Sequence, residues 1–164
     1  MKILTEGAPE LTRESEHLPS DYFTGVGAYY ANALLDTMRK NNGMGLAAPQ
    51  VGNNVRLFVM GDKRDEFICM NPFITAHAKS FDTDIEGCLS FPGIYVPIKR
   101  YSAVVVGYYD IHGKLVEETL EGKWGRCFQH ELDHLNGNLF TLLANKIKLT
   151  KARVKAKKIL KRRR

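Results

Sequence analysis

Two histidines spaced one helical turn apart, with an acid beside them, are the residues of this chain best placed to do chemistry. They stand in the run Gln129-His130-Glu131-Leu132-Asp133-His134. If that run is helical, His130 and His134 share a face with Cβ atoms about 5–6 Å apart, and two imidazoles can grip one ion. Glu131 lies next to them and can handle the proton of a water on that ion. A catalytic centre of this kind uses three protein ligands and leaves a position for water. A third ligand must therefore come from elsewhere in the chain.

In one class of zinc proteases the pattern continues as H-E-x-x-H-x-x-G-x-x-H. Gly137 falls on the glycine here, but Phe140 stands where the third histidine belongs and cannot bind a metal. His17, His77 and His112 lie in polar, turn-like surroundings and read as surface residues. The chain has three cysteines. Cys69 sits in an apolar strand-like run and reads as core. Cys127 is three residues before His130, so it shares a face with it and either lines the site or packs as a buried thiol. Cys88 sits in Glu86-Gly87-Cys88-Leu89-Ser90, where Gly87 permits a close or unusual backbone approach. A metal would deprotonate such a thiol outright.

The runs 86–90 and 129–134 resemble two signature motifs of the peptide deformylases. The third signature of that family, G-x-G-L-A-A-x-Q, stands here as Gly43-Met44-Gly45-Leu46-Ala47-Ala48-Pro49-Gln50. All three occur in the family's order, and the resemblance spans roughly residues 20 to 140. It implies Cys88, His130 and His134 as ligands of one divalent ion, with Fe²⁺ native and Zn²⁺, Ni²⁺ or Co²⁺ as substitutes. Donor types do not name the ion, because the Irving–Williams trend would favour zinc over iron. It implies Glu131 as the acid/base group. The side-chain amide of Gln50 and the backbone N–H of Leu89 would receive an oxyanion. Gly45 would let the substrate backbone come close, in the manner of an added strand. A pocket near Met44, Glu86, Cys127 and His130 would take a methionine side chain. The implied reaction is hydrolysis of the N-formyl group from the initiator N-formylmethionine of new polypeptides, with release of formate.

The motifs are intact, but four neighbours depart from common family patterns. Arg126 and Asp84 stand where apolar residues are frequent, Tyr95 where many members have arginine, and Asn42 where many have an acid. Arg126 is one turn before His130 and shares its face. It is expected either to pair with Asp84 or Glu86 at the pocket wall or to point outward past the helix start.

The elements that must position these residues follow from periodicity and breakers. Apolar residues at Phe23, Val26, Tyr30, Ala33, Leu34 and Met38 predict a helix from an N-cap at Ser20 to Asn41-Asn42-Gly43. Residues 55–60, 67–70 and 73–76 read as strands. Residues 102–109 and 115–120 read as a hairpin around His112-Gly113. Residues 124–135 form the histidine helix, ended at Asn136-Gly137 with glycine as a C-cap. The expected class is α+β: mostly antiparallel strands packed around a central helix carrying the H-E-x-x-H run, as in the resembled family. The order of the strands is not legible.

The chain has 164 residues and 44% hydrophobic composition, which suits one core. No apolar stretch approaches the ~20 residues of a membrane helix. The start lacks the apolar region of a secretory signal. Cysteines without an export signal argue for free thiols in the cytoplasm. The net charge of +6 is unevenly spread. Of 24 Lys and Arg, 11 lie from Lys146 onward, where there is no Asp or Glu; the other 13 face 18 acids, a net of −5. This divides a catalytic domain, residues 1–145, from a basic helical tail, residues 146–164. Thr150 is the expected cap of the tail helix, and Ala152, Ala156, Ile159 and Leu160 form its apolar stripe. The tail, ending in Arg162-Arg163-Arg164, reads as a phosphate-binding arm for ribosomal RNA, or else as a solvated charged helix. The expected state is a monomer.

Three rival readings are weighed. A metalloprotease shares H-E-x-x-H but lacks its third ligand at Phe140. A ribosome- or RNA-binding protein on an inactive deformylase scaffold would not need Glu131 and a full ligand set. A structural zinc site is normally closed by four protein ligands.

Overall fold

The structure is a computed structural model and describes residues 1–23 and 25–162, with the side chain of Arg162 excepted. Arg163 and Arg164 lie outside the described residues. In chain order the elements are α1 (Val26–Lys40), β1 (Gly45–Ala47), β2 (Leu57–Gly61), β3 (Glu66–His77), β4 (Phe81–Gly87), β5 (Tyr95–Tyr101), β6 (Ala103–Tyr109), β7 (Leu115–Glu121), α2 (Gly122–Leu135), α3 (Phe140–Leu143) and α4 (Lys146–Arg162). Five strands form an antiparallel sheet in the order β1-β2-β3-β6-β7, and β4 pairs with β5 in a separate ribbon. The class is α+β, as expected.

The sheet carries a helix on each face. Leu57 and Val59 of β2 join Leu34, Leu35 and Met38 of α1 in one buried cluster. Phe58 and Met60 join Phe128, Leu132 and Leu135 of α2 in another. Alternating side chains of one strand thus serve both cores, so β2 is apolar throughout rather than alternating with polar residues. A third cluster joins Val96 and Ile98 of β5 to Phe91, Phe140, Leu149 and Ala156.

The helix boundaries correct two sequence expectations. Ser20 does not cap α1: it opens a separate 3-10 turn, Ser20–Phe23, and α1 begins after Gly25, whose φ of 62° lies in the left-handed region that favours glycine. Thr150 does not cap α4 either. Asn145 Oδ1 accepts from the N–H groups of Ile147 (3.1 Å) and Lys148 (3.2 Å), while Thr150 sits a turn inside and donates to Lys146 O at 2.9 Å. Asparagine at this position satisfies two amides that the helix itself cannot. Of the proposed apolar stripe, Ala156 is buried, but Ile159 and Leu160 are exposed.

Residues 67–70 and 73–76 belong to the single strand β3, which passes Asn71-Pro72 through a register shift. The bulge suits a proline, which has no N–H to give a ladder. Asn71 takes φ 48°, and its side chain accepts from Leu18 N and donates to Leu18 O, both at 2.8 Å, tying down the N-terminal arm. The ribbon β4–β5 is an element that the sequence reading does not contain. Among the described residues no helix is long and apolar enough to cross a membrane.

Candidate metal centre

The first turn of α2 closes against the end of β7, from which it springs, because Gly125 has no side chain; a Cβ there would lie 2.6 Å from Leu120 O. The helix presents two polar stripes side by side. Cys127, His130 and His134, at i, i+3 and i+7, face the interior between α2 and the end of β4. Arg126, Gln129 and Asp133 repeat the spacing one residue round and face the β4–β5 ribbon.

Cys88 follows directly on β4. Its sulfur and one ring nitrogen each of His130 and His134 lie within 4.8 Å of one another, and Cys88 Sγ is 3.3 Å from His134 Nε2. His134 is 1% exposed, His130 8% and Glu131 4%. The donor chemistry suits a divalent transition metal: one thiolate and two imidazoles, with an acid alongside and no fourth protein ligand in the group. Glu131 Oε2 is buried without a hydrogen-bond partner, as an acid aimed at the water of a bound metal would be. The chain's residues therefore fit such an ion.

Charge around the group is ordered. His130 Nδ1 lies 2.9 Å from Glu86 Oε2, an arrangement that leaves Nε2 for an ion. Glu86 also accepts from Arg100 Nε (2.7 Å) and Nη2 (3.0 Å) and from Arg126 Nη1 (2.8 Å). Arg100 Nη1 in turn donates to Asp133 Oδ2 at 2.7 Å. Burial works against the Glu86 carboxylate, but His130 and Arg100 outweigh it and pull its pKa down to about 2. Burial pushes His134 well below the usual imidazole range, so it is neutral and free to ligate. Burial also opposes charge on His130, but Cys88 and Glu86 raise it to about 10. An ion binding there would displace that proton. Glu131 is pushed up to about 7, chiefly by burial, with His130 and Arg100 pulling the other way.

Gln50 is buried beside the ligands. The main-chain N–H of Ala47 donates to its Oε1 at 2.8 Å, which fixes the amide the other way round toward the site. Its Nε2 donates to Cys88 Sγ (3.3 Å) and Ser90 Oγ (3.1 Å). Gly45 lies against the acid: a Cβ there would meet Glu131 Oε1 at 2.2 Å and Cys127 Sγ at 2.8 Å.

A cavity of about 440 Å³ opens on this cluster. Of the residues singled out from sequence, Met44, Gly45, Gln50, Glu86, Cys88, Leu89, Arg126, Cys127, His130 and Glu131 line it, and His134 lies just behind. Cys127 is buried and donates to Met44 O at 3.5 Å. Two polar groups in its wall are already engaged with neighbours. Glu86 spends its carboxylate on His130 and the arginines. Arg126 donates to Glu86, Ile98 O and Asp82 O rather than pairing with Asp84 or pointing outward. Asp84 accepts the N–H of Ile85 instead. Phe140, in the place of a third histidine, packs on His130 with ring centroids 5.5 Å apart. His17, His77 and His112 are exposed.

Arg100 and Ser90 are the functional neighbours that sequence reading missed. The signal for Arg100 was parity: it shares a face of β5 with Val96 and Ile98, both buried, so an arginine on that face had to meet a buried acid.

The profile of the polypeptide deformylases matches residues 1–150. A peptide deformylase of Thermotoga neapolitana is 44% identical over 127 residues, covering 77% of this chain and 76% of its own length. One from Psychrobacter arcticus is 38% identical, covering 98% and 83%. Among solved structures, a peptide deformylase of Synechococcus elongatus in complex with actinonin superimposes with a TM-score of 0.90 at 33% identity, covering 95% of this chain and 85% of that one. Fold, matched length and relatives agree: this chain belongs to the peptide deformylase family, metal-dependent hydrolases that remove the N-formyl group from the initiator methionine of new polypeptides and release formate.

Proposed function

We propose that Cys88, His130 and His134 hold the metal of this deformylase and that Glu131 is its acid/base group. The observation that carries the reading is one thiol and two imidazoles within 4.8 Å, with a buried acid at their side. A divalent ion bound by them would polarise the formyl carbonyl and lower the pKa of water toward roughly 7. Glu131 takes the proton of the attacking water and passes it to the leaving amine. Burial raises the affinity of its carboxylate for a proton, which helps it take one from the water. Gln50 Nε2, already directed at the ligand sulfur, and Leu89 N–H donate to the oxyanion. Gly45 leaves room for the substrate main chain. Met44, Glu86, Cys127, Arg126 and His130 border the pocket for the methionine side chain.

The ion we assign is Fe²⁺, on the family resemblance, with Zn²⁺, Ni²⁺ or Co²⁺ as substitutes. We place the protein in the cytoplasm as a monomer; its three free thiols fit a reducing compartment. Residues 1–145 would be the catalytic unit. The outward lysines of α4 would dock it on ribosomal RNA, so that it meets nascent chains.

Formate release from a formyl-Met tripeptide, by anaerobic ferrous protein beside its Glu131→Gln variant, tests the reading. Release by wild type alone supports it. No release by either protein would favour a binding role on an inactive scaffold.

A further inference from the structure

The three donors arrive on two pieces of chain that share no sheet. Cys88 ends the β4–β5 ribbon, whereas His130 and His134 ride on α2. A lone two-stranded ribbon is marginal in water, so its place against α2 depends on packing and side-chain ties. The α2 stripe that faces it supplies those ties. Asp133 holds Arg100 of β5 at 2.7 Å. Gln129 pairs with both main-chain groups of Tyr101, accepting its N–H at 3.2 Å and donating to its carbonyl at 3.0 Å.

Arg126 makes the widest span. Its Nη1 donates to Ile98 O of β5 at 2.9 Å and to the Glu86 carboxylate at 2.8 Å, and its Nη2 donates to Asp82 O of β4 at 3.0 Å. One guanidinium therefore grips a carbonyl on each strand and the acid two residues before Cys88. The side chain is 12% exposed, so water competes little for these bonds.

We infer that Arg126 is a positioning residue that clamps the ribbon to α2 and so sets the Cys88 sulfur against the imidazoles of His130 and His134. The inference rests on reading those three as the metal ligands. The clamp needs the flat guanidinium fork; a lysine ammonium is a point donor on a flexible stem and does not serve two strands and a carboxylate at once. Small errors in such placement are costly, because ligand groups must be held to about half an ångström.

The test uses wild type, Arg126→Leu and Arg126→Lys. Each is loaded with Co²⁺ to read the thiolate-to-metal charge-transfer band. Each is then loaded with Zn²⁺ to time its transfer to a coloured chelator, at a temperature where circular dichroism shows all three folded. The expected result is a weakened or shifted band and release roughly tenfold or more faster in Arg126→Leu, with Arg126→Lys closer to Arg126→Leu than to wild type. A wild-type band and release rate in Arg126→Leu, even with a lowered melting temperature, would reduce the residue to a structural role and overturn the clamp. So would full rescue by Arg126→Lys, which would leave only the charge on Glu86. Should Arg126→Leu not fold, release from Arg126→Lys decides alone, a wild-type rate overturning the proposal. Absence of a thiolate band in wild type would instead overturn the ligand set, and the clamp with it.

Discussion

His130 presents Nδ1 to Oε2 of Glu86 at 2.9 Å, and that contact orients the imidazole before any ion binds. The same carboxylate is gripped by Arg100 and Arg126, so the ring is tied to two strands and a helix at once.

Replacing this carboxylate by an amide has two effects. Glu86→Gln leaves Arg100, 5% exposed, without its main counter-charge. Breaking a buried pair in this way costs about 3–5 kcal/mol, partly offset here by Asp133. Loss of the charge that backs His130 also weakens metal binding by roughly 10–100-fold. Urea denaturation and chelator competition check the two effects separately.

Gly45→Ala should strike the acid rather than the fold. The added methyl would sit 2.2 Å from Glu131 Oε1, and the carboxylate is the part able to move. The expected outcome is a fall in kcat of about 10²-fold or more, within the range for losing a general acid/base, with the metal retained. Steady-state formate release and metal content per chain decide it.

Glu131 makes the metal-free protein sensitive to pH in a predictable sense. Its carboxyl titrates near 4.5 when unfolded and is raised to about 7 when folded, so the folded chain holds an extra proton between those values. The stability this group contributes is full below about 4.5 and is lost as the pH rises through about 7. The melting temperature of the metal-free wild type, relative to Glu131→Gln, should therefore fall between pH 5 and 8. A difference that stays flat or rises across that range would contradict the buried, proton-holding carboxyl. The same variant should lose roughly 10²–10⁴ in kcat.

The tail makes a separable prediction. Ala156 and Leu149 are buried in the core cluster beneath β5, and Arg153 pairs with Glu6, so removing α4 would expose apolar surface. Lys148, Lys151, Lys155 and Lys158 are exposed on its outer side. Changing those four to Gln should leave tripeptide turnover intact and flatten the log–log salt dependence of ribosome binding by roughly 3. Cosedimentation with ribosomes over a series of salt concentrations measures that slope; an unchanged slope would show that α4 is not the contact.

Much of the centre was legible because its spacing is local. A period of 3.6 residues places His130 and His134 on one face whatever surrounds the helix, and the hairpin of β6 and β7 announced itself by its turn and alternation. The helix starts were less legible. Asn145 and Thr150 both have side chains that cap helices, and the choice between them fell to the packing of Leu149 and Ala156 beneath β5.

The sequence by itself determined the donor types, the acid among them and the helical turn that puts His130 and His134 on one face, because each of these is a property of a residue or of a single turn. Only the tertiary structure decided which acid meets which cation. Asp82, Asp84 and Glu86 have the same parity on β4, and the register sets Arg100 opposite Asp82. Yet both Arg100 and Arg126 bond the carboxylate of Glu86, since that is where the ribbon runs up against α2 and burial makes an unpaired charge costly. Strand alternation repeats every two residues and cannot tell these three acids apart; the meeting of ribbon and helix, many residues apart in the chain, can.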